Sequence, residues 1–129
     1  MPNVHGLTHL ALAVRDLDRS VGFYGRAFGT RQYYRDEASA QVLGPGPHDV
    51  LAFELDPDKA GQAGGALHFG FRLTSPDAID AALSAVEEAG GRVKQRGDFG
   101  DGQPFAFVED PDGYEIEIWY ESTPPHAQN

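Results

Sequence analysis

Residues 105–121 read FAFVEDPDGYEIEIWYE, and the fold follows from this stretch. Asp110-Pro111-Asp112-Gly113 is a strong turn sequence, because Asp bonds its own backbone, Pro presets φ, and Gly takes a positive φ at no steric cost. The flanking segments, Phe105 to Glu109 and Tyr114 to Tyr120, are predicted strands. Side chains alternate across a strand, so Tyr114, Ile116, Ile118 and Tyr120 take one face. Glu115, Glu117 and Trp119 take the other. An apolar face needs a cover, and a helix is the expected one.

That helix lies upstream. Ser75 is a plausible cap, Pro76 suits the first helical position, and Asp77 to Ala89 is predicted helical, with Ile79, Leu83 and Val86 as its apolar stripe. Gly90-Gly91 stops it. Before it, Ala66 to Leu73 (ALHFGFRL) is a strand; after it, Arg92 to Gln95 is a short strand and Phe99 to Gly102 a polar turn. Ser122 to Asn129 reads as a frayed tail.

The same order occurs once already. Val4 to Val14 (VHGLTHLALAV) is a predicted strand, and Asp16 to Phe28 a helix capped by Asp16 or Asp18 and ended by Gly29. Leu17, Val21, Tyr24 and Phe28 form its stripe. Arg31 to Tyr34, Ala40 to Leu43 and Val50 to Leu55 are strands, with a turn at Gly44 to Pro47 and a loop over Asp56 to Gly65. Placing His9 on His68, an offset of 68 − 9 = 59 residues, lays strand on strand and helix on helix. An internal repeat of this kind predicts two βαβββ modules, about 4–56 and 66–121, within one α+β domain over residues 1–129. The expected sheet is mixed, curved and cup-like, with the helices outside.

The faces opposite the helices hold the chemistry. Leu10, Leu12 and Val14 are expected under the first helix, leaving His5, Leu7, His9, Ala11 and Ala13 opposite. Leu67, Phe69, Phe71 and Leu73 leave His68, Gly70 and Arg72; Leu51, Phe53 and Leu55 leave Ala52 and Glu54. Histidine and glutamate thus recur among small residues on one side. Burying such groups is costly unless they are paired or bound to metal. Imidazoles and carboxylates sharing a concave face suit a divalent transition metal.

Bulk properties narrow the classes. The 129 residues carry 20 acidic and 10 basic side chains, a net charge of −10, which disfavours a polyphosphate partner such as nucleic acid. With no cysteine, disulfides, thiolate zinc sites and cysteine nucleophiles are excluded. No apolar run approaches the roughly 20 residues that span a bilayer, and no secretory leader is read in Met1 to Val14. A cytoplasmic protein without membrane or nucleic-acid partners is expected.

Three segments, THLALAVRDLDRSVGFYGRAFG, LHFGFRL with its helix ending in EEAGG, and FAFVEDPDGYEIEIWYE, resemble the vicinal-oxygen-chelate superfamily, in the family's order and over about Gly6 to Glu121. That superfamily includes glyoxalase I, extradiol dioxygenases and bleomycin- and fosfomycin-resistance proteins. The resemblance implies His9, His68 and Glu117 as ligands of one divalent transition metal per site (Fe, Ni, Zn, Mn or Co) and a homodimer. The third segment looks especially like glyoxalase I, which adds a glutamate ending the first module. Glu54 of LAFEL is read as the counterpart of Glu117 in YEIEI, giving a His9, Glu54, His68, Glu117 set in which Glu117 or Glu54 also moves a proton. The implied activity is that of a lyase or isomerase working through an enediolate on a small substrate with two neighbouring oxygens. The alternatives are an Fe(II) extradiol-type dioxygenase using His9, His68 and Glu117 alone, and a non-catalytic drug- or metabolite-binding protein. Glyoxalase I has an arginine four residues after the first ligand; Ala13 stands here, which argues against a glutathione adduct as substrate. Arg72 and Trp119 are the expected substrate contacts.

Overall fold

The computed structural model describes residues 3–100 and 102–121. The chain divides into two compact units, Met1–Gln62 and Ala63–Asn129. The first holds β1 (Leu10–Val14), α1 (Leu17–Phe28), β2 (Arg31–Arg35), β3 (Ser39–Leu43) and β4 (Val50–Leu55). The second holds β5 (Phe69–Leu73), a 3-10 turn (Pro76–Ala78), α2 (Ile79–Glu88), β6 (Arg92–Asp98), β7 (Pro104–Glu109) and β8 (Glu115–Tyr120). Each unit is an open four-stranded mixed sheet, in the orders β1-β4-β3-β2 and β5-β8-β7-β6. In each, the first and last strands pair in parallel and the rest antiparallel. The α+β class and the two βαβββ modules are therefore observed. The tail read at Ser122 to Asn129 and Asp101 of the polar turn lie outside the described residues.

Local chemistry sets the boundaries. Asp16 caps α1, its Oδ1 accepting from the Arg19 amide at 2.9 Å, while Asp18 pairs with Arg35 at 2.8 Å. Gly29 ends the helix at φ 74°, with its N–H on Gly25 O, a left-handed stop that glycine enters without a Cβ clash. The buried face of α1 is Leu17, Ser20, Phe23 and Tyr24, rotated from the expected stripe, so that Val21 and Phe28 sit at its margin and Phe23 at its centre. Tyr24 stacks on Phe53 at 5.3 Å, and Val14, Val42 and Phe53 are fully buried beside it. In the second unit Ile79, Leu83 and Val86 of α2 lie buried, as do Ala106, Val108, Ile116 and Ile118 of the sheet.

Four expectations need correction. β1 and β5 are shorter than Val4 to Val14 and Ala66 to Leu73, because their ladder partners run out: Leu10 pairs with Leu51 near the start of β4, and Phe69 with Ile116 near the start of β8. His9 and His68 each stand one residue before their strand. β6 runs to Asp98 rather than Gln95, since Gly97 and Asp98 pair with Phe105 and Pro104. Ser75 supplies no side-chain cap, and the chain enters α2 through the 3-10 turn instead. Leu10 and Leu55, expected under α1, are 37% and 45% exposed at the ends of their strands.

Candidate metal centre

The parallel β5–β8 ladder puts Gly70 opposite Glu117. A Cβ on residue 70 would stand 3.0 Å from the Glu117 carbonyl oxygen, so glycine permits the close approach. From just ahead of β5, the His68 imidazole reaches the same carboxylate, with Nε2 3.4 Å from Glu117 Oε1. The side chains are 33% and 17% exposed. Two donors each about 2.1 Å from one tetrahedral ion lie roughly 3.4 Å apart, so this nitrogen and oxygen fit two adjacent positions of a divalent metal. The pair is braced on one side by Phe107, whose ring meets the His68 ring edge-on at 5.2 Å.

The first unit holds His9 and Glu54. His9 is exposed, with Nδ1 2.7 Å from Thr8 Oγ1; when Nδ1 carries the proton and donates there, the Nε2 lone pair is available to a metal. Glu54 lies in one row with Ala13 and Ser39, and Ser39 Oγ donates to Glu54 Oε2 at 2.8 Å. Among the described residues, no three His, Asp or Glu side chains gather into a metal set; the sheet of the second unit supplies a pair.

Register corrects the pairing of Glu54 with Glu117. Two residues after His68, Gly70 faces Glu117; two residues after His9, Ala11 faces Ala52. The repeat counterpart of Glu117 is therefore Ala52, and Glu54 matches Trp119. A two-residue step keeps side-chain parity, which is why alternation alone did not separate them. Glu54 stands about 7 Å further along the strand than a true counterpart would.

The remaining expected contacts divide. Trp119 lies on the Glu117 face, opposite Phe105, with the Phe99 ring edge-on at 6.3 Å. Arg72 is opposite Trp119 and reaches Glu121 at 3.7 Å. Glu115 accepts from Lys94 Nζ at 2.9 Å; this hydrogen bond, before the charge attraction, raises the lysine pKa. Tyr33 and Tyr34 are half-exposed and engage Gln41 and Asp36. Phe105 and Phe107 were not anticipated, although the alternation in FAFVE puts both on the face of Glu117.

A family model described as Glyoxalase/Bleomycin resistance protein/Dioxygenase superfamily matches residues 6–118. The chain belongs to this superfamily. It is 33% identical over 124 residues to lactoylglutathione lyase of Escherichia coli O157:H7, covering 87% of this chain and 90% of that protein. It is 30% identical over 120 residues to metapyrocatechase of Geobacillus stearothermophilus, covering 92% of this chain and 36% of that one. The chain thus spans about a third of the length of some curated relatives and nine tenths of others. Among solved structures, the fosfomycin resistance protein FosX of Listeria monocytogenes superposes with a TM-score of 0.77 at 18% identity, over 92% of this chain and 95% of that one. Its relatives include lyases and a dioxygenase, and no described helix is long and apolar enough to cross a membrane.

Proposed function

We propose that this chain is a divalent-metal-dependent enzyme of its superfamily, a lyase or isomerase of glyoxalase type acting on a small substrate with two neighbouring oxygens. The observation that carries the reading is the His68–Glu117 pair, 3.4 Å apart at adjoining strands. His9 is assigned as the third ligand. Glu54 is assigned to proton transfer and not to the ligand set, because its register departs from that of Glu117. A divalent ion bound there supplies Lewis-acid polarisation of the two substrate oxygens. Glu54, steadied by Ser39, is a carboxylate able to accept and return a proton. Trp119 flanks the site, and Arg72 lies beside it in the ladder. The working form is a homodimer.

A second reading, an Fe(II) extradiol-type dioxygenase, gains support from Ala52. With no carboxylate at that position, His9, His68 and Glu117 make the two-histidine, one-carboxylate set that suits Fe(II).

Metal content after anaerobic purification tests both readings. Wild type should hold transition metal in near-equimolar amount, His68→Ala and Glu117→Gln almost none, and Glu54→Gln as much as wild type. Bound iron favours the oxygenase; nickel or zinc favours the lyase. A wild type that stays empty and cannot be loaded at neutral pH sinks the metalloenzyme, and loss of metal from Glu54→Gln returns Glu54 to the ligand set.

A further inference from the structure

The faces opposite the two helices differ in chemistry where the repeat makes them equivalent. Beside Ala52 and Glu54, β3 presents Gln41 and Ser39. At the corresponding rows of the second unit, beside Glu117 and Trp119, β7 presents Phe107 and Phe105. The fold therefore does not demand aromatic side chains there. Nor does the core, since β7 serves it through Ala106 and Val108, both fully buried, while Phe105 and Phe107 are only half-buried. The rings form a connected wall. Phe99 stacks on Phe105 at 4.3 Å, Phe105 meets Phe107 at 5.8 Å, and Phe107 meets His68 at 5.2 Å. Phe99 remains 57% exposed. Gly97 makes room for the wall: a Cβ there would stand 3.0 Å from the Phe105 ring.

We infer that this wall is the substrate-recognition surface of the proposed metal site and that it selects a substrate whose two neighbouring oxygens are attached to a flat aromatic group. The inference rests on the metal-site reading, because Phe107 joins the wall directly to His68. Rings at these separations prefer offset-stacked or edge-on partners, and each such pair contributes beyond simple area burial. An anionic substrate has less to hold it. Arg72 on this face is matched by Glu121, and Lys94 by Glu115 and Glu109.

Benzohydroxamate and acetohydroxamate test this, since they present the same two neighbouring oxygens and differ in phenyl against methyl. Trp119 is the only tryptophan, so its emission reports the wall alone. In zinc-loaded protein, benzohydroxamate should bind on the order of tenfold or more tightly than acetohydroxamate, with a change in Trp119 emission. Phe105→Ala, and separately the exposed Phe99→Ala, should reduce that ratio severalfold while leaving the acetohydroxamate Kd and the zinc content unchanged. Equal binding of the two probes, or a phenyl preference that survives both substitutions, overturns the inference while leaving the metal site standing. Should the protein hold neither zinc nor any other divalent transition metal, the metal reading fails by itself. Benzohydroxamate must then still perturb Trp119 in wild type and not in Phe105→Ala, or the aromatic wall falls too.

Discussion

Asp110 illustrates how much a single turn residue can carry. It is 5% exposed, and its Oδ1 accepts from the amides of Asp112 at 2.9 Å and Tyr114 at 3.0 Å, fixing the turn that launches β8 and thus Glu117. Removing that acceptor strands two amides in a buried turn. Asp110→Ala should cost about 2–3 kcal/mol, read from the urea midpoint, and Asp110→Asn, which keeps an oxygen, clearly less. Asp36 does a similar task on the surface. The Tyr34 hydroxyl, and then the Ala38 and Ser39 amides, hold its carboxyl below its ordinary value of 3.8. A depressed folded-state value means the stabilisation is present above the unfolded-state pKa and is lost as pH falls through the folded one. The Ala38 and Ser39 amide resonances should therefore titrate with a midpoint below 3.8, and Asp36→Asn should abolish that transition. Asp110 was legible as a turn residue from sequence. The partners of either aspartate were not, because hydrogen bonds two to four residues apart depend on backbone angles that residue type alone leaves open.

At the scale of elements, helix and strand identity followed from periodicity, and errors gathered where a second element decides the outcome. The ends of β1 and β5 depend on where β4 and β8 begin. The buried face of α1 depends on which side meets Phe53, and this brought Phe23 to the centre beside Tyr24, with rings 4.9 Å apart. Phe23 is completely buried, so Phe23→Ala should cost about 3–5 kcal/mol, against much less for Phe28→Ala at the margin of the helix; thermal unfolding of the two variants checks the order. β6 carries the corresponding lesson for the site. Gly97→Ala forces the Phe105 ring to give by a few tenths of an ångström, and the near-ultraviolet circular dichroism of Trp119 and its neighbours should change while the far-ultraviolet spectrum does not.

Across the whole molecule, the repeat is what made the His68–Glu117 pair readable, and a two-residue slip within it is what set Glu54 in the place of Ala52 as the repeat counterpart of Glu117. His68 and Glu117 emerged from alternation and from the DPDG turn, and the sheet brings them together. The counterpart of Glu117 did not emerge, because the loops before β4 and β8 differ in length and parity is blind to even shifts. Ala52 occupies that position and is 5% exposed. Ala52→Glu would restore the symmetry of the two modules. A lone carboxylate buried there should destabilise the metal-free protein by about 1–3 kcal/mol. Two residues on from His9 in the register, it would supply the carboxylate ligand that the first module lacks there. Adding zinc or nickel should then raise the unfolding temperature of the variant by more than it raises that of wild type, because a ligand stabilises in proportion to its affinity for the folded state. An equal or smaller rise would mean that residue 52 does not face a bound ion.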